Sequence, residues 1–415
     1  MTESLIVRWH QEVEDKLEDR IVGWRRYLHR HPELSFEEKQ TAAFIAAELE
    51  KLELEVRTGV GGGGVLGVLR GSHPGATIAL RADFDALPIQ DEKQTEYAST
   101  VPGVMHACGH DGHTASLLGV ASLLSEQREQ LHGTVVFLFQ HAEEKTPGGA
   151  QAMIADGCLH DVDAVFGIHL STELPVGQIG FCSGSFMAAA DAFTIQVEGR
   201  GGHAARPHET VDSIAIACSL VGQLQHIVSR RVDPMQPAVV SIGKIQGGTA
   251  FNVIAEKTLL EGTVRTFDPE ARDLIEQELR GIADGVARAS HASIHIDYLR
   301  GYPTLVNHDK ETSIVREAIA DTMPDAIIKE LERRMGAEDF AYYLQHKPGS
   351  FFYVGARGAD ERTHYPHHHP RFDIDERALV LSAKAFLSIV GQYLTKPVGT
   401  EFITTGLHSL PQQSI

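Results

Sequence analysis

The sequence predicts an α/β protein whose mixed, mostly parallel sheet is sandwiched by helices, with a smaller α+β domain inserted into it. Three observations carry this expectation. Residues 134–140 (TVVFLFQ) and 164–169 (AVFGIH) are short, mostly apolar runs that read as strands buried on both faces. Helical stretches alternate with such runs. From about Met187 the pattern changes to alternating strands and two long helices, and an αβα pattern returns beyond Gly301.

In chain order, Ala42, Ile45, Leu49 and Leu52 recur at spacings of three and four, marking an amphipathic helix over 41–52. The glycine run 61–64 precedes apolar strands at 65–69 and 77–82, and a small-residue helix over about 113–124. A helical stretch at 149–155 separates the strands 134–140 and 164–169. The second unit reads as a strand at 193–197, a helix over about 211–228, strands at 238–242 and 259–265, a second helix and a strand at 293–299. Asp268 and Pro269 supply that second helix with an N-cap and a first-turn proline. Strand-helix-strand-strand-helix-strand is the order of a ferredoxin-like unit. The expected domains are 1–186 and 301–396 for the first body, 187–300 for the insertion, and an aperiodic, disordered tail over 397–415. The last helix is expected over 375–393.

Among 415 residues, 42% are apolar and 22% charged, which excludes wholesale disorder. Lys and Arg number 37 against 56 Asp and Glu, a net charge of −19 that repels polyphosphate and anionic lipid. Nucleic acid and membrane surfaces are therefore not expected as partners. No apolar run reaches the ~20 residues that span a bilayer, and the N-terminus lacks the basic start and apolar core of a secretion signal. Cys108, Cys158, Cys182 and Cys218 are too few and scattered for a disulfide framework, so reduced thiols and a cytoplasmic setting are expected. The outlying count is 23 histidines.

The densest cluster is 105–113 (MHACGHDGH), just before a helix. Thiolate and imidazole are ligands that zinc-like cations prefer, whereas the plain alternative is a buried thiol beside surface histidines. Glu143 and Glu144 follow the strand 134–140, where adjacent carboxylates can divide labour between a metal and a proton; a solvated charged loop is the alternative. Residues 81–88 (RADFDALP) and 167–169 (GIH) also follow apolar strands. Each alone reads as a cap, a turn or a core histidine, but four strand ends bearing Asp, Cys/His, Glu and His together make a metal centre. Residues 363–370 (THYPHHHP) supply more imidazoles or a histidine-rich surface loop. In 199–208 (GRGGHAARPH), glycines make a hairpin turn or let His203 reach an oxyanion. Gly59, Gly61 and Gly64 match G-x-G-x-x-G with Asp83 downstream, but that motif must open a helix and 65–69 reads as a strand.

Taken in order, HRHPELSF, RADFDALPI, MHACGHDGH, FQHAEE, GIHL, GRGGHAARPH, FNVI, GTVRT, GAEDF and HHHPRFDIDE resemble the M20 family of metallopeptidases and amidohydrolases. The likeness is strongest to its N-acyl-amino-acid amidohydrolases, hippurate hydrolases and auxin-conjugate hydrolases, and runs from about Arg25 to Tyr393. The resemblance implies a zinc-exopeptidase-like catalytic domain and an inserted lid and dimerisation domain. It implies two divalent metal ions per subunit, Zn2+ or Mn2+ with Co2+ or Ni2+ as alternatives, held by Cys108, His110, Glu144, His169 and His368. Glu143 then matches the general base, Asp85 the residue supporting the centre, and His203 the lid histidine that relatives often deliver across a dimer interface. Asn252 and Arg265 match positions that hold the substrate carboxylate.

Three positions depart from the family pattern. Leu-His-Asn-Pro is replaced by His367-His368-His369-Pro370, so the choice of His368 rests on the following proline and could move by one residue. His141 replaces a proline in Phe-Gln-Pro-Ala-Glu-Glu, and Ala255 replaces the proline of Asn-Val-Ile-Pro. The implied activity is hydrolysis of N-acyl-L-amino acids to a carboxylic acid and an amino acid, by a homodimer or homotetramer assembled through the lid domain. A dipeptidase or carboxypeptidase with the same centre is the alternative, and a non-catalytic metal-binding protein is a third reading that leaves Glu143 without a use.

Overall fold

A computed structural model of the chain describes residues 2–395. The tail expected over 397–415 lies outside the described residues. The chain opens with helices α1 (Thr2–Arg30) and α2 (Lys39–Lys51) and the hairpin β1 (Glu55–Val60) and β2 (Gly64–Arg70). Then follow β3 (His73–Asp83), α3 (His110–Glu126), β4 (His132–Gln140), α4 (Ala150–Ala155), β5 (Ala164–Pro175), β6 (Gln178–Phe181) and β7 (Gly184–Met187). The insertion comprises β8 (Ala189–Glu198), β9 (Gly202–His203), α5 (Ser213–His226), β10 (Ala238–Gly247), β11 (Val253–Ile254), β12 (Lys257–Thr266), α6 (Pro269–Ser290) and β13 (Ser293–Arg300). The first body is completed by β14 (Leu305–Asn307), α7 (Asp309–Thr322), β15 (Ile327–Glu330), α8 (Phe340–His346), β16 (Gly349–Arg357) and α9 (Arg377–Leu394).

The large sheet runs β1-β2-β4-β3-β5-β16-β6-β15. Its centre, β4-β3-β5-β16, is parallel throughout, while the β1-β2-β4 edge and the β16-β6 pairing are antiparallel. Because side chains alternate across a strand, β4 sends Val135, Phe137 and Phe139 into the core under α1, α2, α3 and α9, and Val136 and Leu138 into the core under α4 and α8. This explains an apolar run with no polar alternation. Each large side chain so buried contributes about 1.5–3 kcal/mol of transfer free energy.

Helix α1 exceeds the sequence expectation, which began the helical pattern at residue 41. Ile6, Trp9, Val13, Leu17, Ile21, Trp24 and Leu28 form its buried stripe. The glycine motif is the turn of the β1-β2 hairpin, and Gly64 opens a strand rather than a helix. A Cβ on Gly61 would stand 2.4 Å from the Met153 nitrogen, so that glycine allows the turn to touch α4.

In the insertion, β10-β12-β8-β13 form an antiparallel sheet with α5 and α6 on one face and a separate core around Phe193, Ile195, Leu220, Leu260, Ile275 and Leu279. Asp212 caps α5 and Asp268 caps α6 through backbone N–H bonds, as the sequence indicated for Asp268. Helix α5 runs on through a π-helical turn, Ile227–Arg231. Both crossings between the bodies meet at buried Asp191, which accepts from Tyr298 Oη (2.8 Å) and Gly301 N (3.0 Å) and pairs with Arg272.

Candidate metal centre

The carboxyl ends of the parallel strands β3, β4 and β5 converge beside the start of α3, where ligands of open α/β sheets gather. Gly109 adopts φ +96°, a left-handed turn that no Cβ could enter cheaply, and so places Cys108 and His110 on either side of the helix start. Cys108 Sγ stands 3.5 Å from His169 Nε2 and 3.7 Å from His367 Nδ1. On its other side, Cys108, His110 and Glu144 offer ligand atoms within 4.8 Å of one another, as do Cys108, His169 and His367. Two donor triads thus share one thiol.

Neighbours fix these donors. Asp85 receives Ser35 Oγ (2.7 Å) and the Glu144 N–H (2.9 Å) on one oxygen and meets His110 Nδ1 with the other (3.1 Å). That leaves His110 Nε2 facing Glu144 Oε1 at 3.8 Å, both buried without a hydrogen-bond partner. His169 Nδ1 lies 2.7 Å from the Leu170 carbonyl, so its Nε2 carries the lone pair toward Cys108. Buried, convergent soft donors with unsatisfied atoms fit divalent cations.

The electrostatics agree. Burial opposes charge on His110, yet Asp83, Asp85 and Glu144 raise its pKa to about 10. Burial pushes the Cys108 thiol well up, and the nearby Glu144 and Glu143 carboxylates add to this. Burial also holds His367 down at about 3, with His368 adding to the effect. This concentration of acid and thiol around so few cations is the field a bound cation would relieve.

The loop after β4 carries the glutamates. Ala142 sits at φ +52°, and the Tyr302 hydroxyl donates to the Glu143 carbonyl at 2.5 Å. The buried Glu143 carboxyl shares a cluster with Glu338 and Asp339, and burial followed by those charges and Glu144 pushes its pKa well above the carboxylate range. Arg81 pairs with Asp83 (2.6 Å), Glu338 (2.9 Å) and Asp339 (2.9 Å) beneath.

Several residues of the motifs turn out to be support. His113 is satisfied by Asp83 (2.6 Å) and the Leu170 N–H (2.9 Å). Asp111 points away from the cluster, to Arg25 Nε (3.0 Å) and His29 Nδ1 (2.7 Å), which links the His29 motif to α3.

The expected ligand His368 stands at the edge of the cluster. Its Nε2 lies 3.3 Å from Glu144 Oε1, a carboxylate that raises the His368 pKa, and the side chain is 52% exposed. His367 instead joins Cys108 and His169. The reason is local: His368 N donates to the Ala107 carbonyl (2.8 Å) and His368 takes φ +63°, so consecutive imidazoles diverge. Three adjacent histidines carry no sequence signal that would separate them.

A cavity of about 480 Å3 opens over the cluster, and Arg265 from β12 reaches its wall. His203 and Asn252 do not line it; both are exposed on the insertion, where β9 pairs with β11 and Ala204 N donates to the Asn252 carbonyl (3.1 Å). Tyr302, Arg334 and Glu338 line the same cavity, and sequence reasoning gave them no role.

The profile of peptidase family M20/M25/M40 matches residues 79–392. The chain belongs to this family. An N-acyl-L-amino acid amidohydrolase of Geobacillus stearothermophilus is 47% identical to this M20 chain over 71% of its length and 80% of the relative's. An N-acetyl-L-cysteine deacetylase of Bacillus subtilis is 43% identical over 88% of this chain and 86% of its own. The solved Bacillus subtilis YXEP protein, described as a dinuclear metal binding peptidase from the M20 family, superposes with a TM-score of 0.77 at 38% identity, covering 90% of this chain and 97% of that one. The fold class expected from the sequence is the fold of these M20 neighbours.

Proposed function

We propose that this M20 protein hydrolyses the amide bond of N-acyl-L-amino acids, releasing a carboxylic acid and a free amino acid. The observation that carries the reading is the pair of donor triads sharing Cys108 beside the carboxyl of Glu143, which belongs to neither, at a cavity that Arg265 lines. We assign Cys108, His110 and Glu144 to one divalent cation, and Cys108, His169 and His367 to the other. Zn2+ or Mn2+ suits the donors, and Co2+ or Ni2+ satisfies the same set. Two such ions supply Lewis acidity and lower the pKa of water.

The remaining work falls to the chain. With cations bound to offset the burial and neighbouring carboxylates that raise its pKa, Glu143 would accept the proton of the attacking water and return it to the departing nitrogen, a role for a positioned group that is not itself a ligand. Asp85 keeps His110 in the tautomer that presents Nε2. Arg265 binds the α-carboxylate; its guanidinium donates to Thr263 Oγ1 (2.5 Å) and the Val264 carbonyl (3.2 Å), and the Asp191 carboxylate acts on it without forming an ion pair. His203 and Asn252, which do not line the cavity of their own chain, act in a second copy, where His203 stabilises the oxyanion and Asn252 the substrate carboxylate. Exposed Phe251, Val253 and Ile245 on the insertion support assembly into a homodimer or homotetramer through this lid. Four unpaired cysteines support a cytoplasmic location, and no helix among the described residues is long and apolar enough to cross a membrane.

The test is a screen of N-acetyl-L-amino acids against the apoprotein reconstituted with each metal in turn. Release of free amino acid supports the reading, and metal uptake without turnover on any of them contradicts it. The dipeptidase alternative is separated by comparing N-acetyl and free-amine substrates that share a C-terminal residue.

A further inference from the structure

The peptide groups of residues 142, 143 and 144 are each held by a side chain from another part of the chain. The Glu143 carbonyl accepts from Tyr302, and the Glu144 N–H donates to Asp85, which also accepts from Ser35 Oγ. The Ala142 N–H donates to Glu38 Oε1 at 2.8 Å. Ser35 and Glu38 both lie in the segment 31–38 (HPELSFEE), which joins α1 to α2. Its backbone is fixed by a bridge from Leu34 to Ala86 and by the Ala86 N–H on the Glu33 carbonyl (2.9 Å).

Glu38 stands at the N-cap position of α2, yet its side chain makes no cap. The N–H groups of Gln40 (3.2 Å) and Thr41 (2.8 Å) go to Glu33 instead, so the Glu38 carboxyl is released from its own helix. It is also held at a cost. Glu38 is 5% exposed, and burial, with Asp85 adding to it, pushes its pKa up to about 8. A folded state that disfavours the carboxylate loses stability to it, which argues that the group is kept for something else.

The residue that Glu38 grips is strained. Ala142 takes φ +52°, in the left-handed region that a Cβ disfavours. The ring of Phe36, from the same turn as Glu38, meets the adjacent His141 edge-on, with centroids 5.9 Å apart. Ala142 immediately precedes Glu143, so its backbone angles set the direction in which Glu143 leaves the end of β4.

We propose that Glu38 is a positioning residue for amide hydrolysis: by accepting the Ala142 N–H it holds the left-handed turn that aims Glu143. This rests on the amide-hydrolase reading above and adds to it a residue that acts through the proton carrier.

The experiment measures hydrolysis of the N-acetyl-L-amino acid that the wild type turns over fastest, with metal content determined on the same samples. Glu38→Met keeps the volume and loses the acceptor. It is expected to lower kcat by about tenfold or more, with KM within about twofold and both ions retained. Glu38→Gln keeps an oxygen for the Ala142 N–H and is expected to stay within about threefold of wild type. In a Glu143→Gln background, Glu38→Met is expected to lower the residual rate by less than about twofold, because residues that act as a unit are not additive. A merely structural role would multiply the two losses.

Wild-type kcat in Glu38→Met, an equal loss in Glu38→Gln, or multiplied losses in the double variant overturns the assignment. If Glu38→Met does not fold, Glu38→Gln decides alone, near-wild-type turnover supporting the role and a loss of about tenfold overturning it. If the wild type hydrolyses no N-acyl amino acid, the amide-hydrolase reading falls and takes this role with it. If it does and both Glu38 variants match it, only this role falls.

Discussion

The hydroxyl of Tyr302 donates a 2.5 Å hydrogen bond to the backbone carbonyl of Glu143. Tyr302 lies two residues past the end of β13, and its own carbonyl accepts from Ala190, on the strand that carries the chain into the insertion. One side chain therefore ties the junction of the two bodies to the residue proposed to move the proton.

Tyr302→Phe removes this bond while keeping the ring. Losing one buried hydrogen bond costs about 1 kcal/mol, so kcat is expected to fall roughly fivefold, with KM within about twofold and metal content unchanged. Steady-state kinetics beside metal analysis checks this, and an unaltered kcat would show that the contact is structural only.

The histidine run gives a second prediction. His367→Ala is expected to weaken one of two metal sites by at least tenfold, whereas His368→Ala retains both ions. Metal stoichiometry after dialysis reads the difference, and the reverse pattern would restore the ligand role to His368.

If His203 serves a second copy, inactive Glu143→Gln and inactive His203→Ala chains should complement each other. Random reassociation of equal amounts makes half the dimers mixed, each with one intact site, so about a quarter of wild-type activity should return on mixing. No recovery, with mixed dimers shown to form, rules out delivery between subunits.

Stability carries its own pH signature away from the centre. Burial, with Lys384 adding to it, lowers His10 from 6.5 to about 4, where α1 packs on α9. Its folded pKa lies below the unfolded value, so the unfolded chain binds the proton first as the pH falls. Stability is thus full above about pH 6.5 and declines toward pH 4, by about 3 kcal/mol from this residue. Denaturant unfolding of wild type and His10→Gln across that window should converge as the pH drops, and a constant difference would contradict the assignment.

The part of the fold legible in the sequence is the part set by local pattern. The run 134–140 announced a strand with two buried faces, and the structure divides its side chains between two cores. The motif glycines at 59, 61 and 64 did not mislead, because an apolar segment follows them and becomes β2. The stripe from Ile6 to Leu28 was equally periodic and shows α1 in retrospect. At the centre, Cys108, His110, Glu144 and His169 are grouped as motif positions suggested, since each lies at a strand end or helix start. His367 was hidden because its selection depends on a left-handed residue and one bond to Ala107, which neighbouring imidazoles do not encode. Tyr302 and Arg334 were hidden because their positions arise from where the chain crosses between bodies and from the partners of Phe186 and Ala188.

Glu143 is proposed to carry the proton beside a dinuclear centre it does not ligate. Its most direct test is Glu143→Gln, assayed on the best N-acyl amino acid with metal content measured on the same sample. Both ions are expected to be retained and hydrolysis to fall by about two to four orders of magnitude, the range of positioned acid–base catalysis. Near-wild-type hydrolysis with both ions in place would contradict it.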